Sequence, residues 1–306
     1  MIFYKLIETL IEITFIMFIG YCSVYFGIVK KENFRMITDF IVLITTPNLI
    51  FYSICINFAH ITIKNLYIIP IASILVVVVT LLSSVVFLNL FRVINNYKNI
   101  YYIASTFSAT LFFGLPINIA IFGDKSVPYV ILYDLGHTTL FWTIGMWILS
   151  KKENFSINQL KKIINPPFIS LVFSIFIMIL GIKPPDFILK SSQMVGNMTI
   201  PLAIMYIGMN MKVLKKGNLD FSVLLVAVIK LFVSPLIAYI IVYFLRIPEY
   251  VKIIIILEAA MPTILTLPPL VNQIEGNGEY ASKITFIVNI LSFLAIPIVF
   301  SIINIK

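Results

Sequence analysis

The chain has 306 residues, of which 60% are hydrophobic and only 11% charged, with a net charge of +9. Soluble domains carry about 25% charged residues, and here the mean hydropathy is +1.05. Nearly uncharged runs of about 18 residues or more, each able to cross roughly 30 Å of hydrocarbon as a helix, recur throughout, so the composition excludes a soluble domain and predicts an all-α polytopic membrane protein.

About ten spans are predicted in chain order, at 6–28, 33–58, 66–91, 99–122, 127–149, 166–182, 188–211, 220–245, 250–273 and 283–304. The first is too long for a signal-peptide core, lacks a small-residue cleavage site and carries Glu8 and Glu12, so it reads as a retained span. Cys22 and Cys55 lie in apolar runs and read as space fillers. The connections are short. The longest, 151–165, divides the chain into a first half (1–150) and a second half (166–306), each of five spans, and is expected to be a cytoplasmic linker.

Thirteen basic residues collect in loops on one side and eight on the other, with Lys230 inside a span. The positive-inside rule places the richer side in the cytoplasm and both termini outside it. The positive charge is therefore a topology signal. No loop interleaves aromatic and basic residues as a nucleic-acid surface does. The abundance of Ile and Asn fits an AT-rich bacterial genome, so the expected location is a bacterial cytoplasmic (inner) membrane.

The halves echo each other. Pro116 in the fourth span and Pro262 in the ninth are 146 residues apart, and Pro47 and Pro201 are 154 apart, both near half the chain length. Matching spans lie five apart, an odd number, so each copy enters the membrane from the opposite side. Two inverted five-helix repeats with broken helices are the signature of secondary transporters, although prolines are also frequent in membrane helices.

The fourth span contains "FFGLPINIAIFG" (112–123) and the ninth "EAAMPTILTLPP" (258–269). Proline removes a backbone donor and pushes the preceding residue from helical angles. The helices are therefore predicted to open near Pro116 and Pro262, with Gly114 allowing a bend and a close approach. Such breaks are tolerated only where buried or lining a watery cavity. Each new half-helix presents a positive end that suits an anion such as a carboxylate. The candidate substrate site is Gly114, Pro116 and Asn118 with Pro262, Thr263 and Thr266. Asn118 and Thr263 are placed in the first turns of the second half-helices. Ser105, Thr106, Ser108 and Thr110 precede the first break. The plainer alternatives are a proline kink without a site, and hydroxyls that bond their own helix backbone.

Charges inside a span are functional candidates. Lys230 is a counter-charge for substrate or for a carboxylate, or else a member of a structural ion pair or a snorkelling side chain. Glu258 takes a proton, holds a cation, or bonds freed N–H groups at the break. Asp134 and His137 share a helical face and form either a proton relay or a satisfied buried pair. Among these, Glu258 is the preferred coupling group. Asp39 reads as hydrated, and Met205, Met209 and Met211 as packing.

The stretches 112–123, "IPLAIMYIGMNM" (200–211), "VIKLFVSPLIAYI" (228–240) and "EAAMPTILT" (258–266), with their order and spacing, resemble the auxin efflux carrier family of plant and bacterial carriers. The resemblance implies a fold shared with sodium/proton antiporters and bile-acid symporters. Spans one, two, six and seven would form a scaffold. The other six would form a transport domain, whose fourth and ninth spans cross at the substrate site. It also implies a homodimer, elevator-like movement and a small organic anion, malate-like or auxin-like, as cargo. The family often carries Asn before the glycine–proline bend, where this chain has Ser108, Ala109 and Thr110. The expected coupling ion is a proton, or the membrane potential alone drives transport. The alternative is a sodium-coupled symporter or cation antiporter on the same fold.

A transport-dead sensor would be expected to carry a soluble output domain, and none is expected from this sequence. An intramembrane aspartyl protease would need paired acids, but Asp124 and Asp134 are ten residues apart with Asp124 in a loop. No nucleotide loop, zinc pattern or hydrolase elbow occurs, so neither enzyme activity nor cofactor nor metal is expected.

Overall fold

A computed structural model describes residues 2–57, 63–91, 93, 97–150, 165–213, 221–275 and 278–303. Within them the chain is helical. The first half contains α1 (Ile2–Tyr25), α2 (34–57), α3 (Ile63–Leu90), α4 (Lys98–Thr106), α5 (110–122) and α6 (127–149). The second half contains α7 (Pro166–Ile179), α8 (Asp186–Gly196), α9 (Thr199–Val213), α10 (221–243), α11 (Glu249–Ala260), α12 (Leu267–Glu275) and α13 (Gly278–Ile303). Among the described residues four stretches are long and apolar enough to cross a membrane: Lys31–Ile56, Tyr67–Leu90, Phe221–Tyr243 and Gly278–Ile303. Ile11–Tyr25, Thr110–Phe122 and Pro166–Ile179 are shorter apolar helices.

The polarity of the molecule is inverted relative to a water-soluble protein. Phe15, Leu82, Val86, Phe173, Phe176, Leu236 and Leu294 are exposed, while Ser84, Ser105, Asn118, Lys230, Glu258 and Thr263 are buried. Such a surface suits hydrocarbon, and polar groups that face inward can satisfy one another. Cys22 and Cys55 are free thiols. Asp39 is more than half exposed and lies 3.8 Å from Arg35. The predicted linker falls almost wholly outside the described residues.

Two groups of helices can be traced. In one, α1 lies along α9 and α2 along α7. A methyl group on Gly20 would fall on the Met205 carbonyl, and one on Gly208 on the Met17 carbonyl, so α1 and α9 meet backbone to backbone. In the other group α3 packs on α6 and α10, α10 on α11, and α12 on α13. The predicted seventh span is not one continuous helix, because a turn at Asn197–Met198 separates α8 from α9.

Both broken spans lie in the second group, and they cross. After α4 the backbone turns extended at Phe107, and after α11 at Met261. Ser108 and Thr263 form an isolated antiparallel bridge. The Ala109 N–H donates to the Pro262 carbonyl at 2.8 Å and the Ile264 N–H to the Phe107 carbonyl at 3.3 Å. Ser108 therefore faces Thr263 as a non-hydrogen-bonded antiparallel pair. This corrects the sequence expectation. The ninth span opens at Pro262 as predicted, but the fourth opens at 107–109, well before Gly114 and Pro116. The π-helical turn Thr110–Gly114 already starts the second half-helix. Pro116 sits in the first turn of the α-helical segment Leu115–Phe122, where its missing donor costs little. Asn118 is consequently beyond the first turn of α5, and Thr263 lies in the extended segment, not in a helix.

Helix ends at the crossing leave carbonyls without intrahelical partners. Thr263 Oγ1 donates to the Ala104 carbonyl at 2.6 Å, near the end of α4. Lys230 serves both first half-helices. It is fully buried on the π-helical turn Ile229–Val233 of α10. Its Nζ reaches Ser108 Oγ at 2.6 Å, the Ala259 carbonyl at 3.1 Å and the Thr106 carbonyl at 3.5 Å. Three N–H donors of an ammonium thus meet three oxygens, two of them at the negative ends of α4 and α11. All three of these partners belong to the crossing itself.

Replacing Lys230 by Met should orphan these acceptors at about 1–3 kcal/mol each. The variant in detergent should melt well below the wild type. An unchanged melting temperature would mean that the crossing does not depend on Lys230.

Candidate functional site at the helix crossing

A cavity of about 130 Å³ opens at the crossing, where α5 begins. One wall is the chain from Ser108 to Phe112, and another is Asp134, His137, Thr138, Phe141 and Trp142 of α6. Ile264, Leu265 and Thr266 close it from the second broken span.

The start of α5 supplies backbone donors. The Phe113 N–H bonds the Ala109 carbonyl at 2.9 Å, so the N–H groups of Thr110 to Phe112 lie ahead of that bond, at the positive end of the helix. The start of α12 is poorer, because Pro268 and Pro269 have no N–H to offer. Two equivalent positive ends were expected from the repeat. The chain supplies one well-furnished end, and Thr266 is what the other contributes to the cavity.

Asp134 and His137 share a face of α6, as their spacing predicts. Among the described residues they are not bonded to each other; both turn to the crossing. Asp134 Oδ1 accepts from Thr110 Oγ1, and from Thr138 Oγ1 at 3.2 Å. His137 Nε2 accepts from the Ser108 backbone N–H at 2.8 Å. A peptide N–H can only donate, so Nε2 presents its lone pair and the ring proton resides on Nδ1. Phe107 meets the imidazole edge-on at 5.3 Å and Tyr133 stacks on it at 6.4 Å. His137 thus splints the extended segment.

The sequence-predicted residues divide into three sets. Thr266, Asp134 and His137 line the cavity. Pro262, Thr263 and Lys230 build the crossing itself. Gly114, Asn118 and Glu258 meet behind it, since Asn118 Nδ2 donates to Glu258 Oε1 at 2.7 Å and a methyl group on Gly114 would fall on the Glu258 carboxyl. Pro116 is buried within α5. Sequence reasoning missed Thr138, Phe141 and Trp142. Thr138 was recoverable, being four residues from Asp134 and hence on its face. The two aromatics carry no local mark in so aromatic a chain. Among the described residues no cluster of three or more His, Cys, Asp or Glu side chains could hold a metal ion.

Comparison with known proteins agrees with a transport role. The chain is 25% identical over 301 residues to an uncharacterized transporter of Methanocaldococcus jannaschii, covering 95% of this chain and 96% of the relative. It is 24% identical over 305 residues to an uncharacterized transporter of Methanothermobacter thermautotrophicus, covering 97% and 98%. The family model described as membrane transport protein matches residues 5–300. The chain therefore belongs to this family of membrane transporters, the auxin efflux carrier family that its motifs resemble, and is not an enzyme.

Proposed function

We propose that the protein is a secondary active transporter of a small organic anion, malate-like or auxin-like, in the cytoplasmic membrane. The observation that carries this reading is the cavity at the crossing, which is lined by the start of α5, where the N–H groups of Thr110 to Phe112 lie at the positive helix end, and by Thr266 of the second broken span. Backbone amides at a helix N-terminus are a natural receptor for a carboxylate. Phe112, Phe141 and Trp142 supply apolar surface for the rest of the cargo.

Asp134 lies in the same cavity. Two carboxylates in a water-poor site repel strongly. A carboxylate cargo therefore enters with a proton on Asp134, which links anion movement to the proton gradient. The same side chain favours a second reading, in which sodium replaces the proton and the carrier is a sodium-coupled symporter.

The reading extends to architecture. Ten spans form two inverted five-span repeats. The bridged residues Ser108 and Thr263 are 155 apart, close to half the chain. Helices α1, α2 and α7 to α9 serve as scaffold, and α3 to α6 with α10 to α13 move as an elevator-like transport body. The subunits pair as homodimers. The loop-charge asymmetry places both termini outside the cytoplasm, which labelling of terminal cysteines with an impermeant reagent checks.

Uptake and counterflow in proteoliposomes, with proton and sodium gradients varied separately, test the proposal. Small carboxylates should be carried and should protect the purified protein against heat, by about 2.7 kcal/mol at a hundredfold excess over Kd. If a broad panel shows only cations or neutral solutes acting, the anion reading is wrong. If sodium alone drives uptake, the second reading replaces the first. With Asp134→Asn, the cavity keeps its shape without a titrating group. Uptake should then lose most of its stimulation by an inward proton gradient, and unaltered stimulation would remove Asp134 from the coupling.

A further inference from the structure

Behind the crossing, Asn118 and Glu258 meet with both side chains fully buried. Asn118 Nδ2 donates twice, to the Gly114 carbonyl at 2.9 Å and to Glu258 Oε1 at 2.7 Å. The carbonyl can only accept, so it fixes which end of the amide carries the nitrogen. The other atom of each group, Asn118 Oδ1 and Glu258 Oε2, has no hydrogen-bond partner among the described residues. Two acceptors of the same side-chain pair are thus orphaned together, where an unmade bond is costly and an unpaired charge more so.

One hydrogen removes both defects. A proton on Glu258 Oε2 turns that atom into a donor, and Asn118 Oδ1 is the acceptor left over on the group already holding Oε1. We infer that Glu258 is a proton-binding site occupied in this conformation, and that Asn118 completes it: the two side chains close a carboxylic acid–carboxamide ring across the transport body. Gly114 makes room, since any side chain there would displace the carboxyl.

The surroundings agree. Glu258 lies in the last turn of α11, where the helix dipole disfavours a negative charge. The charged and titratable groups that act on it are Asp134 and Tyr133 from α6 and Lys230 from α10. Asp134 is a like charge, and Lys230 spends its hydrogen bonds on Ser108, Ala259 and Thr106. The ring ties α5, the second arm of one broken span, to α11, the first arm of the other. Loss of the proton leaves a buried carboxylate held by one bond, and reduces that tie from two hydrogen bonds to one. The part this proton plays in transport rests on the proton-linked function proposed above; its presence does not.

Infrared spectroscopy of the full-length protein in lipid nanodiscs at neutral pH reads the proton directly. The wild type should show a protonated-carboxyl C=O band that shifts in D2O and is missing from Glu258→Gln. In Asn118→Ala the same band should move to higher frequency, as the carboxyl loses its amide partner, so the Glu258 band is identified even if Glu258→Gln fails to fold. A glutamine supplies an N–H where the acid supplies an O–H and keeps the ring without a proton. Wild-type melting temperature should therefore fall as pH rises, because the folded state holds a proton that the unfolded chain has released, and Glu258→Gln should lose that part of the slope. The inference is overturned if no carboxyl band distinguishes wild type from both variants, or if Glu258→Gln keeps the wild-type slope. A band without carboxylate transport in any liposome arm would sink the proposed function and leave the proton site standing. Carboxylate transport without the band would do the reverse.

Discussion

Everything specific about this molecule depends on two backbone segments satisfying each other away from any helix. Peptide groups in an apolar surround must be hydrogen-bonded, and helices do this locally. At 107–109 and 262–264 the local solution is abandoned. Two antiparallel bonds, from Ala109 to Pro262 and from Ile264 to Phe107, replace part of it. The remainder falls to side chains from three directions: Thr263 on the end of α4, Lys230 on the ends of α4 and α11, and His137 on the Ser108 amide. The crossing is thus a polar knot that would be costly in lipid and is affordable only inside a helical shell.

That knot also organises the chemistry around it. On one side the beginning of α5 faces a cavity furnished with hydroxyls, a carboxyl and aromatic rings. On the other, Gly114, Asn118 and Glu258 pack without room for a methyl group. The proposed cargo cavity and the inferred proton site therefore share one half-helix. Movement of α5 felt in one place is felt in the other, which gives the two sites a short physical route for coupling through a single rigid element.

The helical membrane architecture was legible from composition and from runs of apolar residues, because hydrocarbon leaves a chain few options. The second break was legible as well, since Pro262 lies in it. The first was misplaced because Gly114 and Pro116 look like a helix breaker but sit where proline is tolerated, in the first turn of an α-helical segment. The true break, Phe107–Ala109, contains neither residue type and is held open by its partner strand. Its position was available only through the half-length spacing expected of a repeat: Ser108 and Thr263 lie near half a chain length apart. Lys230, Asp134, His137 and Glu258 stood out in the sequence by the expense of burying them, and all four are buried. Their partners did not, because the decisive contacts join residues far apart in sequence, 140 in the case of Asn118 and Glu258.

The central claim is the register of the crossing, and a paired-cysteine experiment reads it most directly. In a chain freed of Cys22 and Cys55, Ser108→Cys and Thr263→Cys are introduced together and the membranes are mildly oxidised. Facing residues of a non-hydrogen-bonded antiparallel pair have Cα atoms about 4.5 Å apart, within disulfide reach. The account predicts a high-yield intramolecular disulfide for this pair and none for Pro116→Cys with Pro262→Cys. Efficient linking of the second pair, with the first left as free thiols in folded protein, would contradict it.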